Sequence, residues 1–526
     1  MRWMKSALAA GTWSFGLFFA ACGGPDPTGP GGNPNGQPGG GGEGSIAVSV
    51  DGLARGEVRT ESGDFTCATG LCFAKGQNGS AITLTAVAAP GAVFTGWSGD
   101  CSGTGTCRID LRSSNHKVSA SFGLPGAWSR AIGSTSADAV KAVVRDSSGN
   151  STVVGVLGTG ASVEGQALPA GLFITQFGST GTARWSRALP LSGSSRVGLA
   201  VTDTGGLLVA GSFSGTVQVG GQSLTSAGDL DIALLSLDSN GQPLWAKRFG
   251  GTGKDEARAF AVDPEGHIHL AGNTEGLQFE GASAPLSPPG FIAELSSGGG
   301  YLTAQPLEGV NAFAFDSQGR TFVTGWRDQA SDTLIVDCFD TAGSLLWSHS
   351  SKSPSSGLAE GMALRVLSDG SLLVAGHFSG YLADVKDGPA AGNDLFLLRF
   401  SSTTGSLLGK KLLGGPGWDS VAGMAVDRDG NVLLSGYTRG TSLDLGGGEL
   451  VLRNDRGHQA FLARLKPDGT HLASSAFGGT GQDSAVALSG GTQGVSVVGN
   501  FEAATHFGDA ERTSLGARDV FLLSLP

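Results

Sequence analysis

Two histidines, His267 and His269, have the spacing in this chain that most resembles the start of a metal site. They stand two apart in an alternating run, so on a β-strand both imidazoles lie on the same face. A zinc site needs further ligands, and none follows at a recognisable spacing, nor is there a His-Glu-x-x-His pattern. The sequence therefore predicts no metal and no cofactor, and we interpret these histidines as solvated or turn-adjacent.

The other residues that could do chemistry also lack companions. Asp427-Arg-Asp429-Gly-Asn431 begins like a calcium loop but lacks the later ligands, including the final Glu, and it stands where related segments carry plain turns. Cys338 lies in an apolar run and is predicted to be a buried strand residue. There is no Gly-x-Ser-x-Gly elbow and no recognisable cysteine nucleophile motif. We therefore predict no catalytic residues.

The elements that must position any site are repeats, which begin near residue 124. A typical unit opens with a strand led by an aromatic residue, continues through an Asp-x-x-Gly turn and ends its middle strand in Gly. The turn begins at Asp146, Asp263, Asp316 and Asp427 in four of the units. Tryptophan or its equivalent opens the units at Trp128, Trp185, Trp245, Tyr301, Trp347, Gly409 and Ala473. The closing glycines are Gly155, Gly211, Gly272, Gly325, Gly376, Gly436 and Gly499. A repeat of this length with several short strands is typical of propeller blades, which must cover each other's apolar faces.

The pattern "W…FGG…D…A.AVD..GN..V.G…D.F.…L" resembles the bacterial seven-bladed β-propeller repeat family over residues 124–526. The fourth unit is short and the first two lack the Gly-Gly pair, so the resemblance is weakest there. The strand led by Trp128 precedes the first full unit, whereas the last unit lacks such a strand. We expect residues 127–132 to supply the outermost strand of the seventh blade and so close the ring.

In a propeller, the loops after the second strand and before the next innermost strand gather on one face. Polar and aromatic residues in these loops form the candidate binding face: Trp326, His377, Tyr437, Asp255, Trp418, Asp419 and Asp483. Such side chains suit a recognition surface. For the three aspartates a second interpretation stands beside this one, in which they cap the start of a strand.

The N-terminus predicts export. Arg2 and Lys5 precede a mostly apolar stretch over residues 8–21, as in a secretory signal, which is too short for a spanning helix. Its end, Phe19-Ala-Ala-Cys22, resembles a bacterial lipobox with Phe in the place usually held by Leu. The resemblance implies cleavage after residue 21 and lipidation of Cys22. Gly23 after the cysteine is compatible with the outer membrane as destination.

Two further segments lie between Cys22 and the repeats. Residues 23–44 are almost wholly Gly, Pro, Asn and Asp, which predicts a disordered linker. Residues 45–123 are predicted to form a small β domain with two disulfides. Its cysteines are Cys67, Cys72, Cys101 and Cys107. The short loops favour Cys67–Cys72 and Cys101–Cys107, while the spacing does not suit zinc. The segment around Phe94-Thr-Gly-Trp97-Ser-Gly resembles the divergent internalin-type B-repeat, which implies a stalk or adhesion module.

Composition sets the remaining limits. The chain has 526 residues, 90 of them Gly, and a formal net charge of −11, which argues against a nucleic-acid partner. The expected fold is all-β, a seven-bladed propeller behind a disulfide-stapled domain. We expect a monomeric lipoprotein of the cell envelope that binds a protein or glycan without catalysis. The alternatives are an extracytoplasmic lyase or hydrolase acting at the channel mouth, and a purely structural envelope component.

Overall fold

The structure of the protein is a computed structural model that describes residues 43–526, apart from 53, 69, 113–115, 192–195, 287–288, 328–331, 354–356, 381, 383–391, 453–456, 479–480 and 508–510. The predicted signal peptide, Cys22 and most of the predicted linker lie outside the described residues. In the described part of the chain the regular elements are β-strands. No segment there has the helical length and apolar character needed to span a bilayer.

The first eight strands form the stapled domain. They are β1 (Glu43–Gly52), β2 (Gly56–Thr60), β3 (Thr66–Cys67), β4 (Gly70–Gln77), β5 (Ala81–Ala88), β6 (Val93–Gly99), β7 (Cys107–Asp110) and β8 (His116–Gly123). β1 lies between β4 and β8, and β3, β2, β5 and β7 form a second sheet. Because Glu43 pairs with Gln77, this domain begins inside the segment predicted as linker.

Two disulfides, Cys67–Cys72 and Cys101–Cys107, close short loops in the stapled domain. The core between its two sheets is small, and Trp97 fills part of it with its indole N–H donated to the carbonyl of Gly105 at 2.6 Å. A core of this size gains from covalent crosslinks, because they restrict the unfolded chain. Since Trp97 is 5 % exposed, it serves as a core residue of the domain.

The remaining strands form a β-propeller whose antiparallel four-stranded units follow one another along the chain. After β9 (Trp128–Ile132), the first unit has β10 (Ala139–Arg145), β11 (Ser151–Leu157), β14 (Gly171–Phe177) and β15 (Ala183–Ala188), with the hairpin β12 (Ser162–Val163) and β13 (Gln166–Ala167). The second unit has β16 (Val197–Val201), β17 (Leu207–Phe213), β20 (Asp231–Leu237) and β21 (Pro243–Phe249), with the hairpin β18 (Thr216–Val219) and β19 (Gln222–Thr225).

The next three units have no extra hairpin among their described residues. The third contains β22 (Glu256–Val262), β23 (Ile268–Asn273), β24 (Gly290–Leu295) and β25 (Tyr301–Pro306). The fourth contains β26 (Val310–Phe315), β27 (Thr321–Arg327), β28 (Thr333–Phe339) and β29 (Leu345–Lys352). The fifth contains β30 (Ala359–Val366), β31 (Ser371–Ser379), β32 (Asn393–Ser401) and β33 (Leu407–Leu413).

The last two units each carry a hairpin again. The sixth has β34 (Gly417–Val426), β35 (Val432–Gly440), β38 (Gln459–Leu465) and β39 (His471–Phe477), with β36 (Ser442–Asp444) and β37 (Glu449–Val451). The seventh has β40 (Ser484–Gly491), β41 (Gly494–Phe501) and β44 (Asp519–Leu525), with β42 (Ala504–His506) and β43 (Glu511–Thr513). Its fourth strand is β9, which pairs antiparallel with β44.

Apolar packing between neighbouring units holds the propeller together. The first strands contact one another in a closed cycle, from β10 through β16, β22, β26, β30, β34 and β40 back to β10. One core cluster joins Val140 and Phe173 of the first unit to Val498 and Leu522 of the seventh. Because the middle strands are covered on both faces, their sequences are continuously apolar rather than alternating. Cys338 belongs to such a strand and is fully buried, and burial raises the pKa of its thiol to about 11.

The tryptophans of the repeat lie on the fourth, outer strand of each unit that has one, and they connect that unit to the following one. The indole N–H of Trp185 donates to the carbonyl of Ser239 at 3.0 Å, and that of Trp347 donates to Ser402 at 3.0 Å. Each carbonyl lies in the turn between the third and fourth strands of the following unit. We call this contact the tryptophan latch, and it explains why the repeat places an amphipathic aromatic residue at this position.

The stapled domain packs against the sixth and seventh units. Gly52 of β1 bridges to Ser474 of β39, and Arg55 Nε donates to the carbonyl of Leu472 at 3.2 Å. Beside this contact lies a crevice of about 480 Å³ with Trp97 and Phe122 on one side and Phe477 on the other. The stapled domain is therefore part of one compact unit with the propeller.

Candidate functional site

The candidate site lies where the first strand of each unit begins and the second strand ends, at one end of the central channel. In the fifth unit Glu360 pairs with His377, and in the sixth Ser420 pairs with Tyr437. These paired positions recur around the ring, so residues far apart in sequence share one rim. We call this rim the channel mouth. Its residues in the second to sixth units are Arg196, Glu256, Arg258, Asn273, Trp326, Glu360, His377, Trp418, Ser420 and Tyr437.

A β-bulge just inside the channel mouth adds one residue to the first strand in several units. The register between the first and second strands skips Lys141, Arg258, Asn311 and Met362 in the first, third, fourth and fifth units. Some of these extra residues reach the next unit: Asn311 Nδ2 donates to the carbonyl of Gly361 at 3.1 Å. Bulges commonly re-aim a side chain in this way.

Cationic side chains meet an aromatic ring at the channel mouth. The guanidinium of Arg258 lies 5.5 Å from the ring centroid of Trp326, within the range of a cation–π contact. Its Nε atom is buried and has no hydrogen-bond partner among the described residues. Desolvation, followed by the nearby charge of Arg258, lowers the pKa of Arg196, whereas the charge of Glu360 raises it. The channel mouth therefore carries two guanidinium groups, although the net charge of the whole protein is negative.

His377 lies between a carboxylate and a hydroxyl. Its Nε2 atom is 4.0 Å from Glu360 Oε2, and its Nδ1 atom is 3.4 Å from Ser420 Oγ. Burial lowers the pKa of His377 to about 4, so the imidazole is neutral at pH 7. The carboxylate is beyond direct hydrogen-bond distance, although such contacts often tighten only when substrate binds. The three groups therefore share one rim without forming a closed hydrogen-bond chain.

The predicted aromatic residues differ in how much of the ring surface is exposed to a ligand. Trp418 is 62 % exposed, whereas Tyr437 and Trp326 are half-buried. Tyr437 stacks on His458 with ring centroids 4.8 Å apart. Desolvation, followed by the charge of Arg439, lowers the pKa of His458. The channel mouth thus has an open indole surface on the sixth unit and a partly covered one on the fourth.

The three predicted aspartates cap backbone rather than face solvent, which decides between the two interpretations left open by the sequence. Asp255 is fully buried, and its carboxylate accepts the N–H of Gly251 at 2.8 Å and the hydroxyl of Thr274 at 2.6 Å. Asp483 accepts the N–H of Glu502 at 2.8 Å, and Asp419 accepts that of Gly415 at 2.8 Å. Their assignment to the binding face is therefore corrected, because a buried carboxylate is held by such donors.

Sequence reasoning missed the charged residues of the channel mouth. Arg196, Arg258 and Glu360 lie beside or within strands whose apolar pattern dominates the sequence, and the bulge that displaces Arg258 is visible only in the pairing. A charged residue recurring two places after the start of the first strand, as in Lys141 and Arg258, was the available signal. Asp427, the start of the supposed calcium loop, pairs with Arg464 at 2.6 Å, so an arginine neutralises that carboxylate.

Comparison with known families finds two local matches. Residues 57–124 match the divergent InlB B-repeat domain, and residues 410–444 match the β-propeller repeat family. The first match covers most of the stapled domain, and the second lies in the fifth and sixth units. No curated protein matches the chain.

Solved structures resemble the chain at low identity. An inactive variant of virginiamycin B lyase from Staphylococcus aureus is 9% identical, with 76% of this chain and 100% of that chain covered and a TM-score of 0.39. The WD40 domain of Neurospora crassa Pan2 is 9% identical, covers 74% and 89%, and scores 0.41. A puromycin hydrolase is 13% identical, covers 73% and 55%, and scores 0.45. None of these similarities carries an activity over to this chain.

Proposed function

We propose that the protein is an envelope-anchored binding lipoprotein whose propeller recognises an acidic glycan at the channel mouth. The cation–aromatic cluster of Arg196, Arg258 and Trp326 is the observation that carries this proposal. Guanidinium groups bind carboxylates in bidentate fashion, and a flat indole such as that of Trp418 offers a stacking surface for a sugar ring. Binding here needs no catalytic group.

The architecture that we propose is a seven-bladed ring closed by β9, attached to the outer membrane through Cys22. Strand pairing and the cycle of first-strand contacts support the ring. The lipobox-like sequence and the Gly/Pro linker after it support the anchor. Labelling with a palmitate analogue should mark the wild type and not Cys22→Ala, and equal labelling would remove the anchor from the proposal.

An array of immobilised glycans, probed with the full-length chain, tests the binding function. We expect glycans that carry carboxylates to bind and their neutral counterparts to bind weakly. Arg258→Gln should lower the affinity about tenfold or more, because it removes a charged hydrogen-bond donor. Trp418→Ala should lower it as well.

The matched control is Arg130→Gln. Arg130 also lies over an indole, 5.4 Å from the ring of Trp128, but on the outer strand of the seventh unit. This variant should bind like the wild type. Equal losses in Arg258→Gln and Arg130→Gln, or an array without any carboxylate preference, would contradict recognition at the channel mouth.

Hydrolysis is the second candidate function, and the contact between Ser420 and His377 favours it. In this alternative Ser420 Oγ attacks an acyl carbon while neutral His377 takes the hydroxyl proton at Nδ1, and the bond from that carbon to the leaving group breaks as His377 returns the proton to the leaving group. Water then attacks the acyl-enzyme, which releases the acid and restores the Ser420 hydroxyl. A fluorophosphonate probe tests it, since the Ser420 oxygen would bond to phosphorus and displace fluoride. Labelling that Ser420→Ala abolishes would favour the hydrolase, and an unlabelled wild type would rule out a nucleophilic Ser420.

A further inference from the structure

The third unit holds a cluster of ligating side chains at the end of its strands opposite the channel mouth. Asp263 follows the last residue of β22, and Glu294 lies on β24. His267 directly precedes β23, and His269 is the second residue of that strand. We call these four residues the third-unit cluster: Asp263, His267, His269 and Glu294. The strand register brings it together, because His269 pairs directly with Glu294.

Ligand atoms of three members of the third-unit cluster lie at distances that suit a single ion, and His267 lies beside them. Asp263 Oδ2 is 3.0 Å from His269 Nε2 and 3.3 Å from His267 Nδ1. His267 Nδ1 is 3.2 Å from Glu294 Oε1. One ligand atom from each of Asp263, His269 and Glu294 can be chosen so that all three lie within 4.8 Å of one another. Tetrahedral ligands about 2.1 Å from a zinc ion are themselves about 3.4 Å apart, so these three side chains need little movement, whereas the His267 side chain must turn toward them to become a fourth ligand.

Burial makes the charge of this cluster costly. The side chains of His269, Asp263 and Glu294 are 6%, 10% and 20% exposed, whereas His267 is 39% exposed and leaves a path to solvent. The ring of His269 packs 4.6 Å from that of Phe315. Two carboxylates so close together in a partly desolvated site call for a cation.

In two other units of the propeller, an arginine side chain supplies the positive charge at the same turn. Asp316 of the fourth unit pairs with Arg320, and Asp427 of the sixth pairs with Arg464, at the same turn. Arg320 stands at the position of His267, and Arg464 at that of Glu294. In the third unit, residues that can bind a metal, His267 and Glu294, thus stand at both arginine positions. His269 stands where the sixth unit has Leu433.

We propose that the third-unit cluster is a binding site for a divalent transition-metal ion of the Zn²⁺ class. One imidazole nitrogen and two carboxylate oxygens already stand together in a way that suits such an ion. The His267 imidazole would complete a set of four ligands, as in a structural site, once it turns toward them. The metal links the turn after β22 to the middle strands, and its positive charge takes the place of the arginine side chain found in the fourth and sixth units. The sequence alone predicted no metal, because Glu294 reaches the histidines only across the sheet.

Metal binding by the tag-free full-length chain tests this proposal. After treatment with EDTA and dialysis, the wild type should take up one equivalent of Zn²⁺ in a calorimetric titration, confirmed by elemental analysis, and its melting temperature should rise. The double variant His267→Asn/His269→Leu introduces the residues that the sixth unit uses as Asn431 and Leu433. It should fold and lose this equivalent.

Two further variants separate ligand loss from misfolding. Glu294→Gln keeps the shape of the side chain and should weaken binding about tenfold or more, because an anionic ligand is lost. His349→Asn removes a histidine from β29 in the fourth unit and should bind like the wild type. The proposal is overturned if the wild type shows no saturable uptake, or if Glu294→Gln and the folded double variant bind Zn²⁺ as the wild type does.

Discussion

Among single residues, the buried carboxylates of the propeller differ in how many of their oxygens accept a hydrogen bond. Asp255 uses both oxygens, accepting from Gly251 and from Thr274. Asp419 accepts from Gly415 through one oxygen, while its other oxygen has no partner among the described residues. Burial raises the pKa of Asp419 to about 6, and the nearby hydroxyl of Thr438 and the N–H of Gly415 oppose this shift only in part. Removing a carboxylate from water is costly when one oxygen remains unpaired.

We therefore predict that Asp419 makes the stability of the protein depend on pH. A carboxyl group whose pKa rises on folding favours the folded state below its unfolded pKa of 3.8, and this contribution is lost as the pH rises through about 6. Between pH 4 and pH 7 the wild type should lose about 2 kcal/mol in free energy of unfolding relative to Asp419→Asn. Urea unfolding at both pH values measures this difference. Parallel pH profiles for the two proteins would contradict it.

At the scale of elements, the tryptophan latch depends on glycine in the turn that it reaches. Gly241 stands two residues after Ser239 and has a φ of +74°, and a Cβ at this position would lie 2.6 Å from the ring of Trp185. Gly205 in the same unit has a φ of +79° but meets nothing within 4 Å. The two glycines therefore share the backbone requirement, and only Gly241 leaves room for the neighbouring indole.

Alanine at these two positions should separate the latch from backbone strain. Gly205→Ala should cost about 1–2 kcal/mol, the penalty for an L-residue in the left-handed region. Gly241→Ala should cost about 2 kcal/mol more, because its methyl group displaces the Trp185 ring. Chemical unfolding of both variants measures the difference. Equal losses would mean that the latch contributes no measurable stability.

The elements were more predictable than the site. Periodic patterns and repeated glycines suffice for an all-β propeller behind a stapled domain, and this fold class is confirmed. Trp326, His377 and Tyr437 could be placed on the rim because they follow a repeated glycine. Arg258 and Glu294 could not be placed, since a bulge positions the first and cross-strand register the second. Local sequence encodes strands, whereas these contacts arise only when strands pair.

At the scale of the whole molecule, the seam between the first and seventh units joins distant parts of the chain. Arg145 donates to Ser524 Oγ at 2.7 Å and to the carbonyl of Gln493 at 2.7 Å. Asn500 Oδ1 accepts the N–H of Val140 at 2.9 Å. The indole N–H of Trp128 on β9 donates to the carbonyl of Ser179 at 2.7 Å, which extends the latch across the seam. Polar contacts thus reinforce the apolar packing here.

Loss of β9 should therefore open the ring. A chain that begins at residue 133 should melt on the order of 10 °C below one that begins at residue 126, because it lacks the buried Ile132 and the Trp128 latch. It should also self-associate, since the edge of β44 is left unpaired. Thermal melts and light scattering compare the two chains, which both lack the stapled domain. Similar melts and monomeric behaviour in both would show that β9 is dispensable.

Because β9 pairs with β44, the ring cannot close until synthesis of the chain has reached β44. A ribosome completes β9 before any four-stranded unit of the propeller, yet the partner strand emerges only after all the others. During that interval β9 has no sheet to join, and the growing arc exposes an apolar face at each end. Contacts between such distant segments form slowly and leave a nascent chain vulnerable to aggregation. A polypeptide interrupted before β44 would leave this early strand permanently without a partner.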